Sequence, residues 1–77
     1  MEKIKVMNRM EESVTIEVGK AIGFKSDVEQ YGLVTGIVKL PYDNDYDVHI
    51  ENESGFDGGY IGGATKTTMR ATDCWNG

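Results

Sequence analysis

The chain has very little of the residues that small proteins use to reinforce a fold. It contains one cysteine, Cys74, and one histidine, His49, among 77 residues. A single cysteine excludes a disulfide within the chain, and one cysteine with one histidine is too few for a typical zinc site. A chain of this length buries only about 60% of its unfolded surface. We therefore expect stability to come from a well-packed β core or from oligomerisation, with a homodimer as the simplest case.

Long apolar runs and an excess of basic residues are also missing. No stretch approaches the roughly 18 apolar residues of a membrane helix, and the N-terminus lacks the apolar block of a signal peptide. With the lone thiol, this predicts one domain, residues 1–77, in the reducing cytoplasm. The formal net charge is −5, from 13 acidic and 8 basic residues. Nucleic acid is therefore an unfavourable partner, and the acidity suits either a basic protein or solubility alone.

Alternation of apolar and polar residues predicts an all-β fold. Residues 3–6 and 14–18 alternate with period two, and we expect them to pair as an antiparallel hairpin. A short strand over residues 20–24 and a polar loop over residues 25–30 follow. Residues 32–40 form the longest apolar run and are predicted to be the central strand, because apolar side chains occupy both faces.

The second half of the chain alternates cleanly and then becomes rich in glycine. Pro41 ends the central strand and opens a turn over residues 41–45. The further predicted elements are a strand over 46–52 with Tyr46, Val48 and Ile50 inside, a turn over 52–55, a returning strand over 56–61 with Phe56 or Tyr60 in the core, a turn or β segment over 65–69, and a closing segment over 70–75.

Five to six short antiparallel strands in one small domain favour a barrel, because closure removes exposed sheet edges. A glycine precedes the short strand in residues 19–24, a polar loop follows in 25–31, and a glycine opens the next strand in 32–37. This pattern resembles the SH3-like barrel of KOW-type modules. The resemblance implies an SH3-like fold and contacts to RNA or a polymerase through basic residues. Here the loop carries Asp27 and Glu29 instead, which argues against RNA binding.

Two acidic motifs bear on metal binding, and each has a simpler structural explanation. Asp43, Asp45 and Asp47 have the spacing of a calcium loop, but the chain lacks the glycine and glutamate that an EF-hand requires further on. Aspartates are also ordinary turn residues. Asp47, His49 and Glu51 share one strand face and could hold a metal or favour the histidine cation, although exposed strand positions commonly do so without function.

No motif in the sequence predicts a catalytic centre. Cys74 lies on a different predicted strand from His49, so the thiol has no evident base, and a buried cysteine beside Trp75 is the preferred interpretation. The glycine cluster over residues 58–63 does not have the spacing of a dinucleotide loop. We therefore predict a protein that is not an enzyme and that needs no cofactor or metal.

The acidic residues around one hairpin are the strongest candidate for a partner-binding site. No lysine or arginine lies between positions 40 and 65, and carboxylates along a ribbon could imitate phosphates in a basic groove; a merely solvated hairpin is the alternative. Tyr42, Tyr46 and Tyr60 lie nearby, and Tyr42 is the one expected to be exposed because it lies in the turn; an exposed tyrosine favours an interface. The predicted partner-binding residues are Tyr42, Asp43, Asp45, Asp47, Glu51, Glu53 and Asp57.

Two functions follow from these observations. A tiny, acidic, solitary domain is similar in character to accessory proteins of bacteriophages. This similarity implies a non-catalytic inhibitor that docks its acidic hairpin on a basic surface of a host defence or transcription protein. The alternative is a KOW-like nucleic-acid-binding module, with a local basic patch formed by Lys20, Lys25, Lys39 and Arg70.

Overall fold

The computed structural model of the protein describes residues 1–26, 28–58 and 61–76, and the predicted all-β class is confirmed. These described residues form seven strands and one 3₁₀ turn, rather than five to six strands. They are β1 (Lys3–Met7), β2 (Ser13–Glu17), β3 (Ala21–Ser26), β4 (Val28–Lys39), β5 (Tyr46–Glu51), β6 (Lys66–Arg70), the 3₁₀ turn η1 (Ala71–Asp73) and β7 (Cys74–Trp75).

The strands form two antiparallel sheets. β1 and β2 make the predicted hairpin, with Ile4 opposite Ile16. The other five strands follow the order β6-β5-β4-β3-β7, so β4 is central, as its two apolar faces predicted. Among the described residues no hydrogen-bonded ladder joins β6 to β7. The five-stranded sheet is therefore open along its ladders.

A side chain connects the two sheets. The Asn76 amide donates from Nδ2 to the carbonyl of Thr15 at 2.8 Å, and its Oδ1 accepts from the Thr15 N–H at 3.0 Å. These two bonds satisfy an edge position of β2 as another strand would. The hairpin and the five-stranded sheet also share one apolar core.

That core follows from the alternation of inward-facing residues. Val48 and Ile50 on β5 are fully buried, and Phe24 meets Phe56 edge to face, with ring centroids 5.3 Å apart. Gly32 leaves the space that these side chains fill, because a Cβ at that position would lie 2.5 Å from Cγ2 of Ile50. The prediction that Phe56 belongs to the core is confirmed, whereas Tyr60 lies outside the described residues.

Two predicted elements were wrong. The described residues of the predicted polar loop over 25–30 belong instead to the strands β3 and β4, with Lys25 opposite Glu29; Asp27 lies outside the described residues. The predicted strand over 56–61 is not formed in its described residues. Glycines with positive φ follow and precede Phe56, so the chain bends instead of extending, and the returning strand is β6. The β alternative for residues 65–69 is confirmed.

The turn between β1 and β2 is fastened to the C-terminal segment by one buried amide. Asn8 accepts the backbone N–H groups of Met10 and Glu12 at its Oδ1, at 2.9 and 3.0 Å. Its Nδ2 donates to the carbonyl of Cys74 at 3.0 Å. The side chain thus closes its own turn and attaches that turn to β7.

Candidate functional site

The seven residues predicted to bind a partner lie in three places rather than along one ribbon. One group occupies the turn before β5 and its start, and a second lies where β5 ends; four residues of strand, about 13 Å, separate the two. Asp57 stands apart, beyond the second turn. The first group is Tyr42, Asp43, Asp45 and Asp47, which we call the Tyr42 turn, and the second is Glu51 and Glu53.

The Tyr42 turn combines a free aromatic side chain with paired carboxylates. Tyr42 is 96% exposed. Arg70, at the end of β6, reaches Oδ2 of Asp43 at 3.1 Å with Nη1 and Oδ1 of Asp47 at 3.5 Å with Nε. Because β6 pairs with β5 in a register that sets Arg70 opposite Asp47, the guanidinium lies between the two carboxylates.

Internal hydrogen bonds hold the Tyr42 turn in place. Asp45 accepts the N–H of Tyr46 at 2.8 Å and the hydroxyl of Thr72 at 2.9 Å, so its carboxylate is occupied. Lys39 donates from Nζ to the carbonyl of Asp43 at 2.7 Å, and its ammonium lies 5.3 Å from the ring centroid of Tyr46. Asp45 is therefore half-buried and has a structural role that its sequence position did not reveal.

The negative charge around the hairpin is partly balanced by basic residues from neighbouring strands. Positions 41–64 contain no lysine or arginine, but neighbouring strands supply three cations to the acidic residues. Arg70 and Lys39 serve the Tyr42 turn, and Lys66 reaches Oε1 of Glu51 at 3.4 Å. The signal that could have revealed this was the pairing of residues 66–70 with β5, which the glycine-rich connection obscured.

The second group and Asp57 are less constrained by partners. Glu53 is exposed, and it makes no ion pair with the residues that the structure describes. Asp57 is also exposed, but its backbone is held by Gln30, whose amide accepts the Asp57 N–H at 2.7 Å and donates to its carbonyl at 2.6 Å. The carboxylates of Glu53 and Asp57 therefore face solvent, whereas most of those near β5 have partners.

The possible metal site around His49 is not assembled. His49 is exposed, and its Nδ1 lies 3.0 Å from Oγ1 of Thr68. The flanking carboxylates of Asp47 and Glu51 pair with cations on β6. In the part of the chain that the structure describes, no group of three histidine, cysteine or acidic side chains is placed to hold a metal.

The thiol of Cys74 is buried and inert. Its Sγ donates weakly to the carbonyl of Arg70 at 3.5 Å. Burial, together with the smaller effect of the nearby carboxylates of Asp73 and Asp45, raises the pKa of Cys74 from 9.0 to about 12. Because the thiolate is the reactive form, this environment opposes nucleophilic chemistry at neutral pH.

The four basic residues of the alternative nucleic-acid site do not form one patch. Lys25 pairs with Glu29 near the beginning of β4, whereas Lys39 lies at its other end. Lys20 precedes β3, with its carbonyl bonded to the N–H of Val34. Arg70 is engaged with two aspartates.

Comparisons with known proteins do not indicate a function for this chain, so the function has to be inferred from its surface chemistry. No family model matches this chain, and neither a curated protein nor a solved structure matches it. Among the described residues there is no helix with the length and apolar character needed to cross a membrane.

Proposed function

We propose that the protein is a non-catalytic protein-binding module that presents the Tyr42 turn to a basic surface of its partner. The observation that carries this proposal is the 96% exposure of Tyr42, which directly precedes Asp43 in a turn that also carries Asp45. A tyrosine ring can stack on arginine or receive a cation over its face, and an adjacent carboxylate can accept its N–H groups. Tyrosine and arginine are also the residue types that dominate binding energy at interfaces.

The rigidity of the turn supports the same function. The Leu40 N–H donates to the Asp45 carbonyl at 3.1 Å, which closes the loop that carries Tyr42. Lys39 donates to the backbone carbonyl of Asp43, and the hydroxyl of Thr72 donates to the carboxylate of Asp45. Since the loop is already ordered, binding would cost less conformational entropy than it would for a flexible acidic tail.

The narrower form of the proposal concerns the partner and the fold. We infer a phage-type inhibitor acting in the cytoplasm on a host defence or transcription protein, because small size and an acidic surface suit a protein with a nucleic-acid groove. An SH3-like barrel is part of this inference. The antiparallel order of five strands supports it, as does the irregularity between Val34 and Gly36, which allows strong coiling of β4.

Affinity capture tests this function directly. Tagged protein is incubated with bacterial lysate, with and without nuclease, at low and high salt, and bound protein and nucleic acid are quantified. We expect a stoichiometric protein partner that survives nuclease. The Tyr42→Ala variant should lower its recovery about tenfold, the usual loss at an aromatic anchor.

The control is Met10→Ala, which removes another exposed apolar side chain (72% exposed) outside the Tyr42 turn. Equal recovery by wild type and both variants would contradict the role of Tyr42. Recovery of nucleic acid alone would contradict the protein-binding function and favour the KOW-like alternative.

A further inference from the structure

A second surface lies on the outer face of β3 and β4, at the other end of β5 from the Tyr42 turn. Leu33 pairs with Ala21 on one side and with Glu51 on the other. Tyr31 is two residues away on the same face, and the two side chains are 49% and 47% exposed for Tyr31 and Leu33 respectively. Exposed apolar residues that are neighbours on one face of a strand form a patch, and such patches mark interaction sites more often than single exposed residues do.

The patch forms the floor of a preformed depression. A concavity of about 520 Å³ lies over Tyr31 and Leu33, and the turn after β5 makes its wall. Asn52 fixes that wall: its Nδ2 donates to the carbonyl of Tyr31 at 3.2 Å, and its Oδ1 accepts the N–H of Ser54 at 3.0 Å. The depression therefore exists before any ligand arrives.

The rim of the depression is negatively charged. Its lining residues include the carboxylates of Glu51 and Glu53 and no lysine or arginine. Lys66 offsets Glu51 from outside the depression, at 3.4 Å, but Glu53 has no ion-pair partner among the described residues. An apolar floor beside an uncompensated carboxylate is complementary to an apolar side chain followed by a cation.

We propose that this depression binds a short segment of another protein that carries an aliphatic or aromatic side chain next to a lysine or arginine. A second copy of this chain is disfavoured, because a two-fold interface would bring the same carboxylates of the two copies together. A nucleic acid would be repelled by the same rim. The site does not depend on the Tyr42 turn, so either proposal can fail alone.

Selection from a displayed library of random short peptides tests the specificity. The full-length protein is the bait, and the Leu33→Thr variant is the counter-selection bait, because threonine keeps the strand propensity while removing apolar area. We expect enrichment of peptides that combine an apolar residue with an adjacent basic one. Absence of enrichment on wild type relative to Leu33→Thr, or enrichment of acidic or uncharged peptides, would overturn the proposal.

Titration of an enriched peptide against variants then locates the site. Leu33→Thr should weaken binding about tenfold and Glu53→Gln about threefold, as expected for lost apolar contact and one exposed charge. The matched control is Val38→Thr, on the same strand and 52% exposed, which should change binding less than about twofold. Tyr42→Ala should also leave peptide binding unchanged.

Folding and self-association are checked on the same samples. Circular dichroism spectra of all variants should match that of wild type. If Leu33→Thr unfolds the sheet, Glu53→Gln still tests the rim, since its side chain is exposed. Equal weakening by Val38→Thr would overturn the location. A dimer in sedimentation that Leu33→Thr dissociates would show that a second copy occupies the depression, and this would also overturn the proposal.

Discussion

The two ends of β5 carry the same kinds of residue but organise them differently. At the Tyr42 turn, the ring is almost fully exposed and the carboxylates of Asp43 and Asp47 share Arg70. At the opposite end, Tyr31 is half-exposed on the floor of a depression, and Glu53 has no cation among the described residues.

This difference predicts two modes of recognition. A basic partner at the Tyr42 turn has to compete with Arg70 for the aspartates, so its electrostatic gain is a difference between two ion pairs in water. A basic side chain at Glu53 displaces no internal cation. If both proposals hold, the first surface would rely more on its aromatic residue, and the second would add its charge to the apolar area that the ligand covers.

The largest expected effect at neutral pH comes from filling the space beneath the second surface. Gly32→Ala would place a Cβ 2.5 Å from Cγ2 of Ile50 and 2.9 Å from the carbonyl oxygen of Glu51, so the backbone has to move. We expect a loss of about 2–3 kcal/mol in the free energy of unfolding, measured by urea denaturation. The matched variant is Gly36→Ala on the same strand, where the nearest atom to the new Cβ is Cδ2 of His49, at 3.3 Å. A loss for Gly36→Ala as large as that for Gly32→Ala would contradict the close packing described here.

The next expected effect is a loss of stability at high pH, which originates at Cys74 in the core that both regions share. Because the folded pKa of Cys74 is about 12 against 9.0 for the free thiol, the unfolded state loses its proton first as the pH rises. Stability should therefore fall by about 1.4 kcal/mol per pH unit above the unfolded pKa, until the folded pKa is reached. The measurement is urea denaturation between the two pKa values, for wild type and Cys74→Ala.

Cys74→Ala also creates a small cavity, so the pH slopes are compared and not the absolute stabilities. All other ionisable groups are the same in both proteins, so the difference between the slopes isolates the thiol. Parallel slopes would show that the thiol is not shielded. Ellman's reagent gives an independent check, since the native thiol should react far more slowly than the unfolded one.

The smallest effect on stability is expected for a substitution that removes the cation of the Tyr42 turn and so makes the two surfaces more alike. Arg70→Gln breaks both ion pairs of the Tyr42 turn, and we expect a change of less than about 1 kcal/mol in unfolding free energy because the groups are exposed. Capture of the basic partner at low salt should increase, since two carboxylates become free. Lys66→Gln, at the other end of β6, is the matched control and should leave that capture unchanged. Decreased capture by Arg70→Gln would mean that Arg70 itself contacts the partner.

The alternation of apolar and polar residues predicted most of the strands, and the prediction failed where the connections are rich in glycine. The hairpin over residues 3–18, the central strand and the inward face of β5 follow from local patterns of period two. The expected strand over residues 56–61 failed because φ values at Gly55 and Gly58 are positive, which alternation cannot reveal.

Residues of the Tyr42 turn could be predicted from the sequence, but the side chains of this chain that pair with them could not. Tyr42 was expected to be exposed, and it is. The pairing of Arg70 with two aspartates depends on the register of β6, which was not predicted. The apolar patch was missed because Tyr31 was assigned to the predicted loop and Leu33 to a strand with two buried faces. In the structure both side chains precede the bulge at Val34–Gly36 and are exposed to solvent.

The amide of Asn76 gives the fold an unusual mechanical character. It joins positions that are 61 residues apart and, with the bond from Asn8 to Cys74, connects the first hairpin to the end of the chain through side chains instead of a ladder. Tension applied between the two ends of the chain would load these hydrogen bonds early, whereas the long β3–β4–β5 ladders would remain unloaded. Rupture should then occur in two steps, with the hairpin released first at low force and the five-stranded sheet later.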